Sequence, residues 1–235
     1  MWRLTGFLTR KDFFDRSQFM AGAEALCMDM AAHDLAPART VLNLPMDPLP
    51  ADLAQAFGDR FDAVLELWFD DPENAKRTIA AFGQDMELRA TADAAIDAGA
   101  SHAWLAEVVT QVPPPDRHFK FVVAGQVADG LTVDEAQAYW RNEHPRIFMS
   151  VDDFMDYIVG YTQMHGRDVL EAGEIDWLAR TDFYPMCADM GLRSAEEVAT
   201  AYSLPSYLAI VRPDEEKFSK PADMLSFASA ERITF

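Results

Sequence analysis

The strongest constraint on the fold of this chain is a succession of predicted strands and helices that occurs twice, once on each side of a triple proline. Alternating apolar and polar residues predict strands, and apolar residues three and four positions apart predict helices. Each half follows the order βαββαβ, which is typical of a ferredoxin-like unit. The predicted strands cover residues 2–10, 39–44, 61–69 and 102–111, and then 119–127, 158–165, 177–185 and 231–235.

Helices are predicted between these strands from the spacing of apolar residues and from capping residues. In the first half they cover residues 15–35, a stretch capped at 70–73 that runs through Phe82, and a further helical stretch to about Ala98. In the second half they cover residues 132–148 and 194–201. The stretch Thr132-Val-Asp-Glu135 has the form of a capping box and predicts where the first helix of this half begins.

The triple proline at residues 113–115 marks the boundary between the halves, because proline cannot extend a helix or a central strand. We predict two domains, residues 1–112 and 117–235, joined by a proline linker at 113–116. A four-stranded antiparallel sheet with both helices on one face leaves its other face bare. Two such sheets can cover each other, so we expect an α+β protein whose tandem ferredoxin-like sheets pack into a barrel-like body.

Two short matches favour an internal duplication. The segment Ala63–Phe69 aligns with Trp177–Phe183, and Ala106–Thr110 aligns with Ala230–Thr234. The two alignments have different spacings, and the extra length is expected in loop sequence between them.

The balance of charges limits the partners. The chain has 20 lysines and arginines against 39 aspartates and glutamates, a formal charge of −19. Such a field repels nucleic-acid phosphates and anionic lipid, so we expect neither nucleic acid nor a membrane surface as a partner. No stretch is long and apolar enough to cross a bilayer, and the first residues do not resemble a secretion signal, so a cytoplasmic location is expected. Cys27 and Cys187 are predicted to be buried free thiols.

The candidate site lies between Asp134 and His165. On the predicted helix, Gln137, Trp140 and His144 are three and four positions apart, so they share one face that Phe148 continues. A short connector leads from this helix to the next predicted strand.

On that strand, Tyr161, Gln163 and His165 alternate with other residues, so they point to one side of the sheet. Imidazole titrates near neutrality, and a phenol and an amide can orient a small carbonyl compound. Other interpretations stay open: His144 as a histidine that interacts with a helix C-terminus, His165 as an exposed turn residue, and Tyr161 as core or barrel lining.

Arg180 shares a strand face with Asp182 in the predicted third strand of the second half. It could bind a substrate carboxylate, although a surface ion pair with Asp182 is favoured. A metal site would combine His144 and His165 with a carboxylate such as Asp176, but these residues lack the close spacing of metal ligands. Neither a metal nor haem nor another cofactor is predicted.

Four segments of the second half form a pattern: Phe119-Lys-Phe-Val-Val123, Thr132 to Pro145 with Trp140 and His144, Tyr161-Thr-Gln163-Met-His165, and Asp214-Glu-Glu-Lys-Phe218. Together these segments resemble the EthD family of dimeric α/β-barrel proteins. The first half lacks the Trp-x-x-x-His and Tyr-x-Gln-x-His patterns, so the resemblance implies a degenerate N-terminal copy and one site in the C-terminal copy. The resemblance leaves the reaction open.

Our leading hypothesis is a pocket on the exposed face of the C-terminal sheet that binds a small apolar or aromatic carbonyl compound. His144, with Tyr161 or His165, would transfer protons without a cofactor. The ligand-binding residues would be Gln137, Trp140, Phe148, Gln163 and Arg180. Two alternatives remain open, a binding protein without chemistry and a structural module, and the chain is expected to be a monomer or a homodimer.

Overall fold

The structure is a computed structural model. It describes residues 1–46, 48–51, 53–54, 61–171 and 173–235, without the side chains of 221–223, 230 and 231. The strands are β1 (Trp2–Leu8), β2 (Arg39–Pro45), β3 (Ala63–Phe69), β4 (His102–Val112), β5 (Phe119–Val127), β6 (Gly160–Gly166), β7 (Arg180–Thr181), β8 (Met186–Leu192) and β9 (Ser219–Thr234).

The described helices lie on the outside of these strands. A turn of π-helix, Tyr207–Val211, runs directly into the last of them. The helices are α1 (Arg16–Ala32), α2 (Pro72–Gln84), α3 (Met86–Ala95), α4 (Val133–Asn142), α5 (His144–Phe148), α6 (Asp152–Met155), α7 (Ala195–Tyr202) and α8 (Arg212–Glu215).

Eight antiparallel strands close into a barrel. Their order around it is β1-β3-β2-β9-β5-β8-β6-β4, and β4 pairs again with β1. The first half contributes the run β4-β1-β3-β2 and the second the run β9-β5-β8-β6, each in ferredoxin-like order. The α+β class with two ferredoxin-like sheets in one barrel is therefore confirmed. The sheets join edge to edge through the β2–β9 and β4–β6 pairs, so the eight described strands of the barrel leave no free edge.

The predicted third strand of the second half is wrong. Within residues 177–185 only Arg180–Thr181 is strand, two residues parallel to β4, and the third strand of this half is β8. Asp189 and Gly191 give β8 a low strand propensity, and the barrel overrides it because Asp189 forms ion pairs there. The last strand is much longer than the predicted 231–235, and the predicted helix 132–148 divides at Glu143.

Strand pairing relates the two halves residue by residue. Glu66 of β3 lies opposite Thr5 of β1, and Asp189 of β8 lies opposite Val122 of β5. Strand β3 therefore corresponds to β8. The predicted match of Ala63–Phe69 with Trp177–Phe183 is wrong. The second match agrees with the pairing at its end. Thr110 lies opposite Thr162 of β6, and Thr162 lies opposite Asp189. In the same way, Thr234 lies opposite Val41 of β2, and Val41 lies opposite Glu66. The division into domains at the proline linker stays a prediction.

Side chains alternate between the barrel interior and the helix-covered outside. One end of the interior is apolar, with Phe7, Trp104, Val122, Met164 and Phe227 packed together. The other end holds four buried charges, which we call the ion quartet: Arg3, Glu66, Lys120 and Asp189.

The ion quartet joins the two halves. Lys120 Nζ lies 2.5 Å from Glu66 Oε1 and 3.1 Å from Asp189 Oδ2, and Arg3 Nη1 lies 3.1 Å from Asp189 Oδ2. Burial alone would disfavour each charge, but two cations against two carboxylates compensate one another. Side chains from both halves thus meet inside the barrel.

Candidate functional site

A cavity of about 150 Å³ lies between the C-terminal sheet and the helices that cover it. The sequence predicted a pocket on the bare face of this sheet, but that face has become the filled barrel interior. The cavity is on the opposite, helix-covered face and is partly open to solvent. Its lining includes Phe121, Val123, Trp140, His144, Phe148, Tyr161, Met186, Ala188, Met190, Tyr202, Tyr207, Arg212, Glu215, Phe218 and Met224.

His144 stands at the start of α5, where the chain turns after α4, and its side chain is almost fully buried. Its Nδ1 lies 2.8 Å from Asp214 Oδ2. A carboxylate only accepts hydrogen bonds, so Nδ1 carries the proton and Nε2 on the other edge of the ring keeps its lone pair. Burial lowers the pKa of His144 below its ordinary value, although Asp214 opposes this. Burial therefore favours the neutral imidazole, in which Nε2 is the basic nitrogen.

Asp214 is held in its ionised form by three donors. Besides His144, the Tyr139 hydroxyl donates to Oδ1 at 2.5 Å, and Lys217 Nζ lies 3.0 Å from the same oxygen. Burial tends to raise the pKa of Asp214, but these hydrogen bonds outweigh it and lower the pKa below its ordinary value. The carboxylate fixes the tautomer of His144 and can stabilise its protonated form.

Tyr161 faces His144 across the cavity, with the two ring centres 6.4 Å apart. Its hydroxyl oxygen accepts hydrogen bonds from Trp140 Nε1 and from Gln163 Nε2, each at 2.9 Å. Neither bond uses the hydroxyl proton, which stays available for a ligand oxygen. Burial raises the pKa of Tyr161 well above its ordinary value, so the group is a neutral donor and not a base.

Gln163 and His165 share the strand face of Tyr161 but lie behind Trp140, outside the described lining of the cavity. Gln163 also donates to the Trp140 carbonyl at 2.7 Å, and the His165 ring packs 4.7 Å from the Trp140 indole. Burial first, and then the charges of two nearby arginines, lower the pKa of His165 to about 3. These two residues support Trp140 and Tyr161 and do not reach the cavity.

Gln137 and Arg180, two predicted ligand-binding residues, lie elsewhere. Gln137 donates to the carbonyls of Gly166 and Pro185 at 3.0 and 2.7 Å, which ties α4 to the sheet. Arg180 is exposed and lies 3.5 Å from Asp182, as the surface interpretation expected. Of the predicted residues, the cavity brings together His144, Tyr161, Trp140 and Phe148.

Glu215 was missed as a site residue. It lines the cavity, accepts a hydrogen bond from the Tyr207 hydroxyl at 2.8 Å and lies 3.6 Å from Arg212. Burial raises its pKa to about 7, although Tyr207 and Arg212 oppose the shift. The sequence signal was the Asp214-Glu215 pair itself: successive helical residues diverge, so one carboxylate reaches His144 and the other reaches Tyr207.

Within the described residues, no group of three histidine, cysteine, aspartate or glutamate side chains could hold a metal ion. Both cysteines are buried free thiols. Among the helices that the structure describes, none has the length and apolar character needed to cross a bilayer.

Comparison with known proteins places the chain among barrel proteins of this kind. Residues 128–222 match the EthD domain. No curated protein sequence matches the chain.

Solved structures share the fold at very low sequence identity. An anthrone oxidase-like protein superposes with a TM-score of 0.61 at 10% identity, covering 99% of this chain and 92% of the other. A protein of Lactobacillus acidophilus NCFM assigned provisionally as a monooxygenase gives 0.51 at 12% identity, covering 100% and 98%. A mutant chlorite dismutase from Candidatus Nitrospira defluvii gives 0.51 at 7% identity, covering 98% and 91%. The chain thus has the ferredoxin-like dimeric α/β-barrel fold, and its residues 128–222 match the EthD domain.

Proposed function

We propose that the chain binds an aromatic carbonyl compound in the cavity and removes a proton from the carbon next to the carbonyl group. The observation that carries this proposal is the pairing of a neutral His144, held by Asp214, with an unused Tyr161 hydroxyl proton in one apolar cavity. A base and a hydrogen-bond donor are the two groups that enolisation of a ketone requires.

The size and walls of the cavity define the ligand class. A cavity of about 150 Å³ is large enough for a single benzene-sized ring. Its walls are mainly aromatic rings and methionines, which favour a flat apolar ring. A larger ligand would place one ring inside the cavity and the remainder at its open side.

In the proposed step, His144 Nε2 takes the proton from the ligand carbon, so a C–H bond breaks and an N–H bond forms. The electron pair moves to the carbonyl oxygen, which becomes an enolate. Tyr161 donates its hydroxyl proton as a hydrogen bond to that oxygen, and Asp214 stabilises the imidazolium. The step needs no cofactor, and donation from the imidazolium back to carbon reverses it.

The test uses 2-tetralone, whose acidic C–H bonds lie next to its carbonyl group. It also uses anthrone, a choice suggested by the name of one structurally similar protein, whose acidic C–H is conjugated to the carbonyl through the aromatic rings. We expect the chain to accelerate exchange of the acidic ring C–H for deuterium, followed by NMR in anaerobic heavy water. His144→Asn should slow this exchange about 100-fold or more, the usual contribution of a general base. Tyr161→Phe should slow it about 10-fold, through loss of one hydrogen bond to charge.

The matched control is His33→Asn, which removes a histidine that packs on Phe82 in the first half. It should leave the exchange rate unchanged. Equal rates for the wild type and His144→Asn would refute the role of His144. Saturable binding of both ketones without any exchange would favour the second candidate function, a binding protein without chemistry, which the apolar walls alone would support.

A further inference from the structure

The barrel interior opens at the end that holds the ion quartet. The described residues there border a cleft of about 1330 Å³, which we call the lumen mouth. It lies on the inner face of the sheets, opposite to the helix-covered cavity. Its wall includes Arg39, Trp68, Thr110, Asp116, Arg117, His118, Lys120, Thr162, Asp189, Arg193, Glu196, Arg232 and Thr234.

Three arginines of this wall make no ion pair within the described part of the chain: Arg39, Arg117 and Arg232. The chain has 39 acidic and 20 basic residues, and most of the described lysines and arginines do pair with a carboxylate, unlike these three. Their positive charge is therefore concentrated at one opening of a strongly acidic protein.

Neutral partners hold two of these arginines in place. The Arg39 guanidinium stacks on the Trp68 indole, 4.3 Å from its ring centre. Arg232 donates to the Asp116 carbonyl at 2.9 Å and contacts the His118 ring. These contacts position the guanidinium groups without cancelling their charge.

The acidic residues of the wall do not compensate for them. Glu66 and Asp189 already belong to the ion quartet, where Arg3 and Lys120 balance them. Only two other carboxylates, Asp116 and Glu196, are in the described wall, against three unpaired guanidinium groups.

We propose that the lumen mouth is a second binding site, for a small molecule that carries carboxylate or phosphate groups. Planar guanidinium groups bind both kinds of oxyanion through paired hydrogen bonds. Three threonine hydroxyls, of Thr110, Thr162 and Thr234, line the same cleft and add neutral hydrogen-bonding groups. The proposal is independent of the helix-covered cavity, because the two sites lie on opposite faces of the sheet.

The experiment is calorimetric titration of the wild type with inorganic phosphate and, separately, with citrate at constant ionic strength. The phosphate and citrate arms tell which oxyanion the site prefers. We expect saturable binding of at least one anion with one site per chain. The double variant Arg39→Gln/Arg232→Gln should weaken it at least 10-fold.

The control is Arg77→Gln/Arg89→Gln, which removes two exposed arginines that also make no ion pair in the described residues but lie on α2 and α3. It changes the net charge equally and should leave binding intact. Circular dichroism verifies that both variants fold. The proposal is overturned if neither anion binds the wild type, or if the two double variants lose affinity to the same extent.

Discussion

The helix-covered faces of the two half-sheets have equivalent backbones and different contents. In the first half, Leu42, Leu44 and Leu65 pack fully under α1, α2 and α3. The strand pairing places Gln163, His165 and Ala188 at the corresponding positions of the second half. Leucines fill one face, whereas on the other face Ala188 borders the cavity and the two polar side chains support Trp140 and Tyr161.

This difference teaches that the cavity comes from side chains and not from a change of fold. Ala188 lacks the three outer carbon atoms of Leu65, and the amide and imidazole of the other two positions support Trp140 and Tyr161. One copy supplies packing and the other supplies polar groups.

The largest effect is expected from exchanging the side chains at two corresponding positions, Leu65 and Ala188. Leu65→Ala should lower the free energy of unfolding by about 2–5 kcal/mol, because it leaves a void in a close-packed core. Ala188→Leu should instead fill the existing cavity, changing stability by less than about 1.5 kcal/mol while abolishing the binding of 2-tetralone. Urea unfolding and ligand titration measure the two quantities.

A third variant serves as the reference for this pair. Ala199→Leu adds the same atoms to α7 outside the described lining of the cavity, and it should leave ligand binding intact. If Ala188→Leu binds the ketone as well as the wild type does, the ligand does not occupy this cavity.

The sequence predicted the first half of the fold well, because its strands alternate strongly and its helices carry clear caps such as Asp15 and Asp71. It failed at β8, where Asp189 is stabilised by Arg3 and Lys120, two charges that are far away in the sequence. Local propensity contains no information about such partners.

The same limit applies to the candidate site. Helix and strand spacing was sufficient to predict that His144 and Tyr161 lie near each other. Spacing could not tell which sheet face would be filled on barrel closure, nor that Trp140 would separate His165 from the cavity. The role of Glu215 depends on burial beside Tyr207, which exists only after folding.

A smaller effect is expected in the pH dependence of the free energy of unfolding, through Glu215 in the second half. The pKa of Glu215 is raised from 4.5 to about 7, so between these values the folded chain keeps a proton that the unfolded chain has released. The stabilisation that comes from the Glu215 proton is therefore fully present below pH 4.5. It is lost as the pH rises through 7, which lowers the free energy of unfolding by about 3 kcal/mol at most. Glu215→Gln should remove this loss.

Glu216→Gln provides the comparison, since Glu216 is more exposed and contacts the same Arg212 at 3.4 Å. The free energy of unfolding of the Glu216→Gln variant should show the same pH dependence as that of the wild type between pH 5 and pH 8. The assignment fails if the two variants respond to pH alike.

The smallest effect is expected at Arg180, which lies outside both faces. Arg180→Ala should change the free energy of unfolding by less than about 1 kcal/mol, because an exposed ion pair contributes little. The affinity for 2-tetralone should not change, as titration would verify. A marked loss of affinity would return Arg180 to the ligand-binding residues.

The closed barrel also sets the order in which the chain can fold. β2 stays without its second neighbour until β9, the last strand, pairs Thr234 with Val41, and Arg3 meets Asp189 across 186 positions of sequence. During synthesis the first half must therefore wait with an open strand edge, and with its Arg3–Glu66 ion pair not yet joined by Lys120 and Asp189. Such edges pair readily with other chains, so the slow, long-range closure is the stage at which this protein is most exposed to aggregation.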